Sequence, residues 1–297
     1  MAAMEGKMEE LQPGLRRIVA PNPSPMTYTG TCTYVIGTGE VAVVDPGPAD
    51  PAHLQALLDA LAPGERVSHI LVTHAHLDHS PGARLLAEAT GAPILAFGPP
   101  EAGRAPVMAE LAARGHAGGG EGVDHAFDPD ILLEDGETLS HGDWSLTALH
   151  TPGHFCNHLS FAMGDALLTG DVVMGWSSTL ISPPDGDLGD YYRSLARIEA
   201  QSPRILYPGH GDPVTDPQTL IASQRAHRDA RTEQIRSALT ERPATPQGLT
   251  RAIYTDVPAA LLPAAERNVF AHLVEMSVQN QVIAAPDLRP EALFSLT

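Results

Sequence analysis

The chain has 297 residues, with 43 % hydrophobic and 18 % charged side chains and a formal net charge of −18. That balance is globular rather than disordered, and it offers no general electrostatic footprint for nucleic acid or an anionic membrane. The length suits two domains, or one large domain with an appendage.

Residues 31–36 and 41–44 are β-rich runs split by Gly37-Thr38-Gly39, which predicts a hairpin. Asp50 before Pro51 reads as an N-cap with proline in the first turn, opening a helix over 53–61. A buried strand over 67–72, a loop over 73–80, a helix over 82–90 closed by Gly91 and a strand over 93–97 follow. Residues 98–130, with Pro99-Pro100 and Gly118-Gly119-Gly120, read as a long insertion or surface loop holding a helical turn at 107–114. Strands are expected at 145–149, 159–163, 166–169 and 205–207. A Ser/Pro/Gly/Asp-rich loop spans 175–189, and a helix is expected at 190–200.

After Asp216 the pattern turns helical, with helices over 218–239, 246–254 and 264–280 and a short strand or wing at 281–283. That suits a winged-helix-like module, so the chain divides into 1–215 and 216–297. Charge divides too: 1–215 carries 10 basic and 27 acidic residues, and 216–297 carries 8 and 9. Arg225, Arg228 and Arg231 read as a solvated helix face, with a phosphate-binding stripe as the sharper alternative. Cys32 and Cys156 are too few for a disulfide framework. Residues 1–10 lack the basic and apolar regions of a secretory signal, and no run reaches the roughly 18 apolar residues of a membrane span. A cytoplasmic location without a membrane partner is the expectation. The sequence sets no oligomeric state.

The chemistry concentrates in Thr73-His74-Ala75-His76-Leu77-Asp78-His79, directly after a strand. His74 and His76 alternate by two in extended backbone, so both imidazoles can face one ion; Asp78 and His79, past the turn, can face a second. Neither set is complete, because a catalytic zinc takes three protein ligands and keeps an open position. Three further candidates stand in Pro152-Gly153-His154, Gly170-Asp171 and Gly209-His210-Gly211. Each follows a strand end and adjoins a glycine, which lets the backbone come close to a metal.

This order of ligands, with Val43-Val44-Asp45-Pro46-Gly47 before it, resembles the metallo-β-lactamase superfamily over residues 15–215. The resemblance implies an αββα sandwich with the metals at one edge of its two sheets. It implies one zinc on His74, His76 and His154, a second on Asp78, His79 and His210, and Asp171 bridging them. The set is all imidazole and carboxylate, and His76 stands where flavo-diiron relatives carry Glu; this favours two zinc ions, although iron and manganese also accept such ligands. Asp171 stands where the best-known zinc β-lactamases carry Cys, so the set is closer to glyoxalase II and to RNA-processing members. Trp176-Ser177-Ser178-Thr179, Pro183-Pro184-Asp185-Gly186-Asp187, Tyr191, His227-Arg228, Ile253-Tyr254 and Asn268-Val269-Phe270-Ala271-His272-Leu273 resemble the β-lactamase-like protein 2 subfamily, which has a C-terminal winged-helix-like domain.

The expected function is therefore binuclear zinc hydrolysis of an ester or thioester by a metal-bridging hydroxide, with Asp78 both ligating and orienting that hydroxide. The partner is a small acyl substrate. The alternatives are an endonuclease on single-stranded RNA, which needs a basic path to the metals, and a non-enzymatic nucleic-acid-binding regulator. Trp176, Ser178, Tyr191 and His158 are the candidate substrate contacts, His158 alternatively standing behind the ligands. Asp45 is expected to hold the metal loop by accepting hydrogen bonds. His53, His69, His116, His125, His141 and His227 read as surface or loop residues, and His150 and Cys156 as structural.

Overall fold

A computed structural model describes residues 6–115 and 122–297; His116 and Gly118-Gly119-Gly120 lie outside them. Among the described residues the first sheet runs in chain order through β1 (Glu9–Gln12), β2 (Leu15–Val19), β3 (Cys32–Ile36), β4 (Glu40–Val44), β5 (Arg66–Leu71), β6 (Ile94–Ala96) and β7 (Ile131–Leu132). The second holds β8 (Thr138–His141), β9 (Trp144–His150), β10 (Leu159–Met163), β11 (Ala166–Gly170) and β12 (Ile205–Pro208), in the order β12-β11-β10-β9-β8. The expected hairpin is β3–β4, antiparallel with Tyr34 opposite Val44. The β1–β2 hairpin carries charge on its strands, Glu9, Glu10, Arg16 and Arg17, and so gives no apolar signal of its own.

Strand alternation sorts the side chains into layers. In β4, Val41 and Val43 face a core shared with α1 (Pro51–Asp59) and α2 (Pro81–Thr90), where Leu54, Leu57, Ala83 and Leu86 are buried. Their neighbours Ala42 and Val44 face the other way, into an inter-sheet core with Leu146, Phe161 and Leu168. In β11, Leu168 joins that inner core while Leu167 turns outward to α4 (Leu188–Ala200), packing with Leu195 and Ile198. Two sheets buried on both faces give four layers, helix, sheet, sheet, helix. A fully buried leucine is worth about 1.5–3 kcal/mol in such a core.

The 98–130 segment departs from the surface-loop expectation. It contains α3 (Pro106–Ala113), whose Met108 and Leu111 are buried in the core of the C-terminal module. That module comprises the second half of α5 (Pro217–Glu241), then α6 (Pro246–Ile253), α7 (Leu262–Val278) and the antiparallel pair β13 (Val282–Ala285) and β14 (Leu293–Leu296). Ile221 near the start of α5 packs on the α4 layer, whereas Ile235 and Leu239 near its end pack with Leu249, Phe270 and Phe294. One helix thus enters both cores. Among the described residues no helix is long and apolar enough to cross a membrane.

Topology positions the site. β4 and β5 are parallel, so the segments that follow them, Asp45 and the His74–His79 loop, leave one edge of the first sheet. β9 and β11 are both antiparallel to β10, and β12 is parallel to β11. The segments carrying His154, Asp171 and His210 therefore leave a single edge of the second sheet.

Candidate metal centre

At the joined edges the seven residues converge. His74, His76 and His154 form one group of facing ligand atoms and Asp78, His79 and His210 another, all within 4.8 Å in each; His74, His79 and Asp171 meet the same limit between them. In the first group, His74 Nε2 and His154 Nε2 lie 2.9 and 3.1 Å from His76 Nδ1. In the second, His210 Nε2 lies 3.3 Å from His79 Nε2 and 3.2 Å from Asp78 Oδ2. The Asp171 carboxylate stands between the groups, Oδ1 3.5 Å from His79 Nε2 and Oδ2 3.3 Å from His210 Nε2 and 3.7 Å from His154 Nε2.

The outward ring nitrogens are anchored. His79 Nδ1 meets Asp45 Oδ2 at 2.9 Å, and His210 Nδ1 meets the Gly30 carbonyl at 3.1 Å. His154 Nδ1 faces the Leu180 carbonyl at 2.9 Å and Thr179 Oγ1 at 2.8 Å. His74 Nδ1 pairs with Thr73 Oγ1. A proton held at the outward nitrogen leaves the inward one as donor to a metal. Asp45 is the common brace: it accepts from the Thr73 amide and hydroxyl, both at 2.8 Å, as well as from His79. Its backbone is left-handed, φ 50°.

Two glycines are demanded by space. A Cβ on Gly209 would stand 2.3 Å from Asp171 Oδ1, and one on Gly153, at φ +138°, 2.5 Å from the Tyr191 backbone.

Electrostatics differ between the groups. Burial lowers the His74 and His154 imidazoles, His74 well below the usual range, and His76 falls to about 3 through burial with His154 beside it. At His79 and His210 burial pulls the same way, but the carboxylates win. His79 is raised well above its usual value by Asp78, Asp171 and Asp45, and His210 to about 10 by Asp171 and Asp78. Burial opposes ionisation of Asp171 and Asp78 as well, yet the adjacent imidazoles hold both carboxyls down.

The donor set fits a pair of divalent cations. Four-coordinate ions at about 2.0–2.1 Å from nitrogen hold neighbouring donors about 3.3 Å apart, close to the spacings here. Asp171 Oδ1 is buried with no hydrogen-bond partner, as an oxygen waiting for a cation would be.

The other expected residues part company. Trp176 is half-buried and stacks on Tyr28, ring centroids 5.0 Å apart, beside Gly211. Ser178 is half-buried in the same loop. Tyr191, expected at the substrate, is instead fully buried, its hydroxyl donating to Gln224 Oε1 at 3.0 Å. His158 is also fully buried: its Nε2 accepts from the Asp171 amide at 3.2 Å and its Nδ1 meets Thr151 Oγ1, so it stands behind the ligands. Arg228 is no solvated residue, at 2 % exposure, and His53 is buried with Nε2 against Thr33 Oγ1. Sequence reasoning missed Tyr28, 50 % exposed at the cleft; only the aromatic itself, in a polar loop with Gly30 and Thr31, hinted at it.

A family model described as the metallo-β-lactamase superfamily matches residues 27–210, and a β-lactamase-associated winged helix model matches 245–289. The chain belongs to the metallo-β-lactamase superfamily, as a hydrolase with an α/β sandwich and a C-terminal winged helix domain. Its relatives include a Drosophila melanogaster protein named β-lactamase-like protein 2 homolog, 29 % identical over 90 % of this chain and 88 % of the relative. An Aspergillus fumigatus protein named atrochrysone carboxyl ACP thioesterase is 29 % identical over 78 % of this chain and 67 % of its own. A solved β-lactamase domain protein from Burkholderia ambifaria shares the fold, with TM-score 0.83 and 24 % identity over 100 % of this chain and 95 % of that one.

Proposed function

We propose that this chain is a dinuclear zinc hydrolase of small acyl esters and thioesters, thioesters foremost. Residues 1–215 form its catalytic unit and 216–297 its accessory module. One observation carries the reading: a seven-residue imidazole and carboxylate set converges at the edge of the sandwich and reaches solvent through Asp78, whose side chain is 27 % exposed. His74, His76 and His154 would hold one ion, Asp78, His79 and His210 the other, and Asp171 both. Zinc suits these donors, with iron or manganese as the outcomes elemental analysis separates. Bound ions would supply an ionised water near pH 7 and a Lewis acid for the substrate oxygen.

The chain's own residues do the rest. Asp78 is the carboxylate placed to orient a water entering the cleft and to take its proton. His158 fixes the backbone of Asp171. Tyr28 and Trp176, stacked beside Gly211, give the cleft an apolar wall suited to an acyl group, and Ser178 follows in the same loop as Trp176. Arginines that could serve a phosphodiester are committed elsewhere. Arg17 binds Glu9 and the Gly211 carbonyl, Arg104 binds Asp185, and Arg228 binds Thr179 and Asn268. The thioesterase relative supports the same choice. Two free, buried cysteines accord with a cytoplasmic location.

The test is a panel of acyl thioesters, aryl esters, lactones and labelled single-stranded RNA, run on the metal-loaded chain with elemental analysis. Thioester or ester turnover that a chelator abolishes and metal restores is expected. Cleavage of RNA alone overturns the acyl reading.

A further inference from the structure

The motif residues His227-Arg228 and Asn268 are unused by the reading above, and the structure brings Arg228 and Asn268 together. Arg228, in the middle of α5, is 2 % exposed. Its Nη1 donates to Asn268 Oδ1 of α7 at 3.0 Å, and its Nη2 donates to the Thr179 carbonyl. Its guanidinium lies 5.5 Å from the Tyr191 ring centroid. Asn268 Oδ1 also accepts from the Ile181 amide at 3.1 Å. A buried guanidinium is costly to desolvate, and with Nε of this one left without a partner, each hydrogen bond it does make matters to its placement. Burial does lower the pKa of Arg228.

Residues 179–181 are therefore gripped from one side by α5 and α7. From the other side the same segment grips His154: Thr179 Oγ1 and the Leu180 carbonyl face its Nδ1 at 2.8 and 2.9 Å. Gln224, one turn before Arg228, donates to the Met174 carbonyl at 2.8 Å, pinning the start of the same loop. Gly186 closes the loop's far end against the Gly153 and His154 carbonyls, which a Cβ would approach to 2.9 Å.

We propose that Arg228 and Asn268 are positioning residues for the metal centre. Through residues 179–181 they fix the ring orientation and tautomer of His154, so the C-terminal module completes the His74/His76/His154 position. This rests on the reading of His154 as a ligand. On it, the accessory domain is a strut for the metal site.

The experiment compares the full-length chain with Asn268→Leu, Asn268→Asp and Arg228→Met. Metals per chain and stepwise zinc titration against a competing chelator are measured, with thermal unfolding of the metal-free forms. Asn268→Leu removes the shared acceptor at similar size, whereas Asn268→Asp keeps an oxygen for both Arg228 and the Ile181 amide. Losing an anchor of a metal-bound histidine typically costs 10–100-fold in affinity. One of the two zinc ions should accordingly weaken about 10-fold or more in Asn268→Leu and Arg228→Met, the other holding, with Asn268→Asp restoring most of the loss. Two wild-type affinities in Asn268→Leu overturn the proposal. So does an Asn268→Leu chain that fails to fold, because the pair would then serve the core and not the ligand. A wild-type chain that binds no metal would instead overturn the functional reading itself.

Discussion

The two halves of the candidate metal centre share one edge and nearly one geometry, yet they are built on opposite electrostatics. His74, His76 and His154 are an all-imidazole group that burial drives toward the neutral, ligating form. His79 and His210 share their half with Asp78, and the carboxylates raise both imidazoles. The first half is poised to accept a cation without losing protons. In the second, the raised imidazoles hold protons that an incoming cation would have to displace. Their supports differ as well. The first half leans on the 179–181 loop and, beyond it, on α5 and α7. The second leans on Asp45 and on the Gly30 carbonyl, both within the sandwich, and Asp45 reaches His74 of the first half only through Thr73. Geometry alone therefore does not define equivalent sites; the neighbouring charges and anchors do.

Asp171 is where the halves meet, so its removal should break the comparison most severely. Its carboxylate lies within 3.7 Å of imidazole nitrogens from both groups. Asp171→Ala should leave the apolar core and the fold in place, lower metal content from two ions toward one, and cut acyl hydrolysis on the order of 10³-fold. Elemental analysis beside a turnover assay checks this. Two tightly held metals at wild-type rate would show that the halves do not depend on a shared carboxylate.

A smaller effect should separate the supports. Asp45→Asn keeps an oxygen for the Thr73 amide but loses an acceptor for the Thr73 hydroxyl or for His79. Affinity at the His79/His210 half should fall about 10–100-fold, with a smaller loss in the first half because Asp45 reaches His74 through the Thr73 hydroxyl, read by stepwise zinc titration. Thr179→Val is the counterpart on the other side. It deletes one of two oxygens at His154 Nδ1 and leaves the Leu180 carbonyl, so the first half should weaken by less than about 10-fold. If Asp45→Asn weakens the His74/His76/His154 half more than the other, the division into separately supported halves fails.

The contrast also explains what could be read from the sequence. The seven converging residues were legible because the loop packs four of them into six positions and the others each follow a strand and a glycine. The sandwich was legible through β4, β5 and β11, whose apolar runs are buried on both faces. Arg228 was not, because arginines at three-residue spacing describe a solvated helix until a loop 49 residues away in sequence covers one of them. His158 stands four residues from His154 in sequence but points into the core behind it, a distinction that spacing does not carry, and Tyr191, singled out by resemblance, is buried too. The helical turn at 107–114 was legible and is α3, but its burial was not, because its apolar partners, Leu249 and Phe270 among them, lie in the C-terminal module.

The mildest prediction concerns the cleft wall beside the second half. Trp176 stacks on Tyr28 at an interplanar angle of 11°, and Gly211, next to His210, leaves space for its ring. Neither aromatic touches the facing ligand atoms, so their contribution should be to binding the acyl group before reaction and through it alike. Binding of that kind changes KM without changing kcat. Trp176→Ala removes one ring and leaves Tyr28 exposed; an aromatic contact is worth about 0.5–1.5 kcal/mol beyond its area, so KM should rise about 3- to 10-fold for apolar acyl substrates. It should change little for an acetyl ester, which is too short to reach the wall. Both metals should remain, since no anchor of His79 or His210 is altered. A fall in kcat with KM unchanged, or the loss of a metal, would move Trp176 from the cleft wall to the support of the second half.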